Sequence, residues 1–254
     1  MPMNIRTLFP VTAFAIAAAI GFSGAAHAFD DKEKDDIGKI VREYLLAHPE
    51  TLIEVQQAYE KKQAAERAEQ AKTAVKDNHD AIFNASYDLA VGNPKGKVTV
   101  VEFFDYNCGY CKRAVGDMDA IIKANPEVRF VLKEFPILGQ DSVDAHKVSN
   151  AVRLVAPEKY GDFHRALMSG EHANEARAIE VAKSLGVTEE ALRAKMTEAP
   201  NDESVRDAYQ LATKLGITGT PSYIIGNEAV FGAVGEEELA KKITSVEQCG
   251  KTVC

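Results

Sequence analysis

The chain of 254 residues has no tryptophan, only four cysteines and no excess of basic over acidic side chains. The lack of tryptophan and the modest aromatic content exclude nothing. The charge balance says more: 30 Lys and Arg stand against 38 Asp and Glu, which argues against nucleic acid or an anionic membrane as a partner. No glycine-rich phosphate loop, Ser-His-Asp pattern, carboxylate cluster or internal repeat stands out. His146, His164 and His172 lack a metal-ligand spacing such as H-E-x-x-H and read as surface or satisfied core histidines. Long apolar runs are missing too. The one apolar stretch, Leu8 to Ile20, is too short and too early for a membrane span. With Arg6 before it and Ala26-His27-Ala28 after it, it reads as a signal peptide over residues 1–28, with an uncleaved anchor as the alternative. Export removes Arg6 and no acidic residue, so the mature chain is one unit more negative.

All four cysteines lie in the mature chain, and an even count in an exported protein is consistent with two intrachain pairs. Cys108 and Cys111 are spaced C-x-x-C. A run rich in β-branched and aromatic residues, Val98 to Phe104, precedes them, and a helix-compatible stretch follows from Lys112. This puts Cys108 at a strand-to-helix junction, where free helix N–H groups and the positive end of the macrodipole favour a thiolate. Cys111, one turn on, is placed to resolve a mixed disulfide. A static disulfide or half a metal site is the alternative reading of the pair. Cys249 and Cys254 close a small loop in a polar tail; the favoured reading is a structural disulfide, with free or shuttling thiols as the alternative.

Residues 29–91 read as an N-terminal helical extension and linker. Ile37, Ile40, Val41, Tyr44 and Leu45 follow one helical face, His48-Pro49 breaks it, and a second helix presents Leu52, Val55 and Tyr59. From Glu60 to Ala74 the apolar side chains are all alanines, so the spacing predicts a solvated helical spacer. So short a segment with one stripe buries too little to stand alone, and an oligomerisation role is favoured over docking on its own domain. Gly92-Asn93-Pro94-Lys95-Gly96 marks the start of a catalytic domain over 92–254. Strands are expected at Lys97 to Phe104 and Val128 to Lys133, parallel around a helix from Cys108 to Ala124. Residues 142 to 214 look helical, with breaks near Pro157, Gly170, Gly186 and Pro200. A hairpin follows over Ser222 to Ile225 and Ala229 to Phe231, turning at Gly226-Asn227, and a helix over Glu236 to Ser245 closes the chain.

The run Glu102-Phe103-Phe104-Asp105-Tyr106-Asn107-Cys108-Gly109-Tyr110-Cys111 resembles the DsbA-type branch of the thioredoxin superfamily. Thr218-Gly219-Thr220-Pro221-Ser222-Tyr223 resembles the cis-proline loop that faces the C-x-x-C in that superfamily. The resemblance covers about Val98 to Ile243 and implies an α/β thioredoxin fold with a helical insertion at about 138–215, after an N-terminal helical extension. It also implies a cis Thr220-Pro221 bond, with Thr220 and Pro221, beside Gly109 and Tyr110, contacting substrate. Glu102 matches the buried acid that assists the resolving thiol, with Lys133 as its charge partner; an edge-exposed glutamate is the alternative. Lys112 and Arg113 either favour the thiolate or are exposed helix charges. Tyr44 to Glu50, together with Gly92 to Gly96, is similar to the suppressor-of-copper-sensitivity C type, whose extension trimerises in some members.

The Gly109-Tyr110 dipeptide and Thr220 resemble the isomerase DsbC more than DsbA. The expectation is a periplasmic disulfide isomerase without cofactor or metal, acting on misfolded or reduced exported proteins. It would be recycled by a membrane redox partner and assemble as a homo-oligomer, with a trimer favoured. The alternatives are a DsbA-like dithiol oxidase, a Cu(I)-binding periplasmic protein, or a structural protein with an inert disulfide.

Overall fold

The computed structural model describes residues 30–199 and 203–254. The expected leader at 1–28 and the expected break at Pro200 lie outside the described residues. The described residues divide into two compact units that part between Gln57 and Ala58.

In the first unit, α1 (Asp31–Ala47) opens with a reciprocal cap. The Asp30 carboxylate accepts from the Glu33 N–H at 2.7 Å, and the Glu33 carboxylate accepts from the Asp30 N–H at 2.8 Å, so two otherwise unpaired donors are satisfied. The helix stops at His48, whose backbone the following Pro49 biases away from the helical region. α2 (Glu50–Asp77) begins there. No residue of α1 is buried, and Ile37, Ile40, Val41 and Tyr44 are exposed, as are Leu52, Ile53 and Val55 in α2.

The second unit begins inside α2. Ala71 and Val75 are buried against Ala208, Leu211, Ala212 and Leu215. The expected solvated spacer from Glu60 to Ala74 therefore differs from the structure in its last turns. Alanine lets the helix backbone approach closely, and Val75, just beyond the stretch, supplies burial of about 1.5–3 kcal/mol. After α3 (His79–Phe83), which buries Ile82, comes the short strand β1 (Ala90–Gly92). α3 and the first two residues of β1 lie within the stretch expected to be linker, so this unit starts well before residue 92.

β2 (Val98–Phe104), α4 (Gly109–Ala124) and β3 (Val128–Glu134) form the expected parallel unit. α5 (Gln140–Val155), α6 (Tyr160–Met168), α7 (Glu175–Ser184), α8 (Glu189–Glu198) and α9 (Glu203–Leu215) follow. β4 (Ser222–Ile225) and β5 (Glu228–Phe231) make the hairpin, and α10 (Glu236–Cys249) closes the fold. Gly226 sits at the hairpin turn with φ +57, which favours glycine, and a Cβ there would press on Val246 Cγ2 at 3.0 Å.

The sheet order is β1-β3-β2-β4-β5, with only the β2–β3 pair parallel. Its two faces carry separate cores. Val100, Phe104, Phe130 and Leu132 face α4 to α8 and α10 in one; Val101, Phe103, Val131 and Ile224 face α2, α3 and α9 in the other. The expected insertion at about 138–215 thus divides, because α9 covers the opposite face from α5 to α8. Adjacent strand residues point to opposite faces, so Glu102 shares a face with Val100 and Phe104.

Candidate active site

Cys108 is the N-cap of α4, extended at φ −74, ψ 115. Its Sγ accepts from the Cys111 backbone N–H at 3.3 Å, and in its protonated form it donates to the Thr220 carbonyl at 3.2 Å. The Thr220-Pro221 bond is cis. Cys108 and Cys111 are free thiols, and their environments separate them. The Cys108 thiol is lowered to about 5, first by the hydrogen bond from the Cys111 thiol, then by those from Thr220 and the backbone N–H groups of Cys111 and Tyr110. Burial pushes the Cys111 thiol far above its ordinary range, and its hydrogen bond to Cys108 adds to this. One sulfur is thus a thiolate at neutral pH and the other its proton-bearing donor.

Glu102 is 3% exposed, beneath this pair on the α4 side of β2. Burial raises its carboxyl to about 8, helped by the negative charges of Cys108 and Asp117. It is not an edge-exposed glutamate. Lys133 does not partner it. Lys133 aligns with Phe103 rather than Glu102, so it points to the other face and pairs with Asp88 at 2.7 Å. Register by one residue decides the partner.

At the rim, Tyr110 is 60% exposed and lies under the Arg113 guanidinium, 4.4 Å from the ring centroid. A Cβ at Gly109 would meet nothing within 4 Å. Lys112 is no simple exposed charge: its ammonium donates to the carbonyls of Gly170 and Glu171 at 2.7 and 2.6 Å, tying α4 to the loop after α6.

Sequence reasoning missed the scaffold of the cysteine loop. Buried Asp105 accepts from the Asn107 N–H (2.7 Å), the Ser142 hydroxyl (2.7 Å) and the Leu138 N–H (2.9 Å). Asn107 donates through its amide to the Ala173 carbonyl at 2.8 Å and accepts from the Ala173 N–H at 2.8 Å. The signal was present: Asp and Asn near a strand end often hold local backbone by side-chain hydrogen bonds. Their partners, 33 to 66 residues away, were not.

The histidines divide. His172 is an exposed partner of Asp141, and His146 is buried against Glu134. The Glu134 carboxylate also accepts from Ser149 and Tyr160. His164 departs from the expected satisfied core residue, because its buried Nδ1 has no hydrogen-bond partner. It sits edge-on to Phe104, and burial lowers its imidazole to about 3. Cys249 and Cys254 are joined as a disulfide. Among the described residues, no group of three or more His, Cys, Asp or Glu is arranged to hold a metal ion.

A strand ending in a split cysteine pair at a helix N-terminus, faced by a Thr-Pro loop, defines a thioredoxin-type dithiol centre. The DSBA-like thioredoxin domain matches residues 99–244, more than half of the chain, and the chain belongs to that family of thiol–disulfide oxidoreductases. Residues 33–66 match the copper resistance protein ScsC N-terminal domain. A thioredoxin-like oxidoreductase from Silicibacter pomeroyi DSS-3 is 38% identical with a TM-score of 0.64, covering 68% of this chain and 99% of that one. Proteus mirabilis ScsC in a transitional conformation is 28% identical with a TM-score of 0.60, covering 86% and 96%. Disulfide bond formation protein D of Bacillus subtilis is 26% identical over 166 residues, 60% of this chain and 74% of that protein. The chain spans 24% of the length of the Na(+)/H(+) antiporter NhaA 1 of Salinispora arenicola, with 23% identity over 167 residues.

Proposed function

We propose that this chain is an exported, periplasmic thiol–disulfide oxidoreductase that isomerises disulfides in misfolded or reduced exported proteins through Cys108-Gly109-Tyr110-Cys111. The observation that carries the reading is the opposite displacement of two thiols within one helical turn. The Cys108 thiolate attacks a substrate disulfide, forms a mixed disulfide and releases the other substrate sulfur as a thiolate. That thiolate attacks a second substrate disulfide, and the thiolate displaced there attacks the substrate sulfur of the mixed disulfide, so Cys108 leaves reduced; no net electrons move. When release stalls, Cys111 attacks Cys108. Its proton passes to Glu102, whose carboxyl near 8 gains and loses protons close to neutrality. The pair, now oxidised, needs two electrons from a membrane redox partner. Gly109, Tyr110, Thr220 and Pro221 border the attacking sulfur and contact substrate.

Three features favour isomerisation: the Gly109-Tyr110 dipeptide, Thr220 before the proline, and the ScsC-type N-terminal segment. The exposed stripe of Ile37, Ile40, Val41 and Tyr44 fits contact between copies of the chain, with a trimer favoured. Several sites around one misfolded chain raise the effective concentration of attacking thiolate.

One observation favours the oxidase reading instead. Stabilising the Cys108 thiolate stabilises the reduced pair and makes its disulfide more oxidising. Cu(I) binding is the reading of a different class; it would require both Cys108 and Cys111 as thiolates and would release the Cys111 proton.

Reactivation of scrambled ribonuclease separates isomerase from oxidase. The full chain is compared with an Ile40→Asp/Tyr44→Asp variant, because shortening it to Asn78 would strip Ala71 and Val75 from the core. Reactivation by the full chain, lost with oligomerisation in the variant, is the expected result. Rapid oxidation of reduced ribonuclease by both forms, without reactivation, would move the protein to the oxidase class.

A further inference from the structure

Beside the cysteine pair, and within the second unit, lies a groove of about 480 Å³. One wall is the Thr220-Pro221 loop with Phe231 of the edge strand β5; the other is Ala64, Arg67 and Ala68 of α2. Three facts make this wall part of the site. Thr220 lines the groove and its carbonyl lies 3.2 Å from Cys108 Sγ, so the groove ends one residue from the attacking sulfur. Ala64 and Ala68 lie one helical turn apart, on the face that continues to the buried Ala71 and Val75. The anchored turns therefore hold the groove turns in place. Arg67 is the one charged residue of the lining; it is exposed, and its guanidinium donates to the neighbouring Gln63 at 3.1 Å.

We propose that α2 forms the outer wall of the substrate groove. In this assignment Ala64 and Ala68 admit an extended polypeptide segment, and Arg67 selects for an acidic side chain near the substrate cysteine. It rests on the exchange chemistry proposed for Cys108, and deepens it by naming what the site selects. Small side chains leave width for a peptide backbone. The apolar Pro221, Ala229 and Phe231 take side chains of varied size, and a single rim cation adds charge preference mainly through the encounter rate.

The test uses reduced full-length protein and two eleven-residue peptides, each carrying glutathione in mixed disulfide on a central cysteine. One peptide has Glu two residues to either side of that cysteine; the other has Lys. The Cys108 thiolate forms a bond to the peptide sulfur, and glutathione leaves as a thiolate and takes a proton from solvent. Cys111 then closes the Cys108–Cys111 disulfide and frees the peptide thiol, so two electrons pass from the protein to the mixed disulfide. The neutral disulfide 4,4′-dithiodipyridine, too small to need the groove, reports the intrinsic reactivity of Cys108.

The wild type is expected to react about threefold faster with the acidic peptide than with the basic one, as befits one exposed charge pair. Arg67→Glu is expected to reverse that order. Ala68→Phe, which places a ring in the groove, is expected to slow both peptides about tenfold. All three proteins are expected to react equally with dithiodipyridine, which also shows that they are folded. Equal dithiodipyridine rates, with both variants treating the peptides as the wild type does, would overturn the groove assignment alone. Failure of the wild type to react with dithiodipyridine would overturn the exchange chemistry, and the groove assignment with it.

Discussion

Two pairs of the same residue occupy opposite surroundings in this molecule. Cys108 and Cys111 are buried at the start of α4, one lowered to about 5 and the other pushed far up. Cys249 and Cys254 are exposed at the end of α10 and joined to each other. In the first pair a helix N-terminus, a facing carbonyl and a buried acid make the two sulfurs unequal. In the second, no comparable environment separates them, and the bond closes a short tail. Reactivity here belongs to the position, because side-chain chemistry is common to both pairs.

The comparison can be broken most directly by removing the nucleophile. Cys108→Ser is expected to lower thiol-exchange turnover by about a thousandfold or more, read as insulin or ribonuclease disulfide exchange. Retention of full activity would end the assignment of the site. Cys111→Ser keeps the thiolate but removes the resolving thiol. It is expected to accumulate mixed disulfides with substrate on non-reducing gels and by mass spectrometry, whereas the Cys249→Ala/Cys254→Ala variant is not. Equal trapping by both would erase the distinction.

A subtler test concerns pH. Between 4.5 and 8 folded Glu102 keeps a proton that the unfolded chain has released. Its contribution to stability therefore falls as pH rises, by up to about 1.4 kcal/mol per unit. Cys108 works the other way. Between about 5 and 9 the folded thiol has lost a proton that the unfolded chain keeps, so stability rises with pH. In the reduced protein the two oppose each other from about pH 5 to 8. Glu102→Gln is expected to unmask a rise over that range, and Cys108→Ser a fall, in urea unfolding at pH 5, 6.5 and 8. Identical slopes in all three proteins would show that Glu102 does not hold its proton.

The smallest effect is expected from the tail. The Cys249→Ala/Cys254→Ala variant is expected to lose about 1–2 kcal/mol of stability, because its loop is short, and to keep exchange turnover within about twofold. A collapse of turnover would mean that the two pairs exchange electrons.

The cysteine junction and the closing hairpin were legible in the sequence because each depends on local pattern, and the Thr-Pro loop that begins 110 residues on was legible through the family resemblance. Two kinds of feature were not. The first is direction across a strand: Glu102 and Lys133 look like partners on neighbouring strands until register sends one to each face. The second is packing by small residues. Ala71 carries no hydrophobic signature among Lys, Glu and Gln, yet it lets α2 approach the core and brings Arg67 beside the Thr-Pro loop. The same limit hid Asp105 and Asn107, whose partners lie on the helical insertion. It also hid His164, whose unpartnered nitrogen lies among the rings of Phe104, Tyr106 and Tyr160.

The open space at Gly109 and the outward Tyr110 bear on how this protein can change over generations. The groups that hold the loop sit on either side, at Asp105, Asn107 and Lys112, and space around position 109 would accept a side chain. Positions 109 and 110, on which the proposed choice between isomerase and oxidase partly rests, are thus nearly uncoupled from the groups that hold the loop. Drift or laboratory selection at 109 and 110 can therefore vary the rim of the cysteine pair while the rest of the molecule is inherited unchanged.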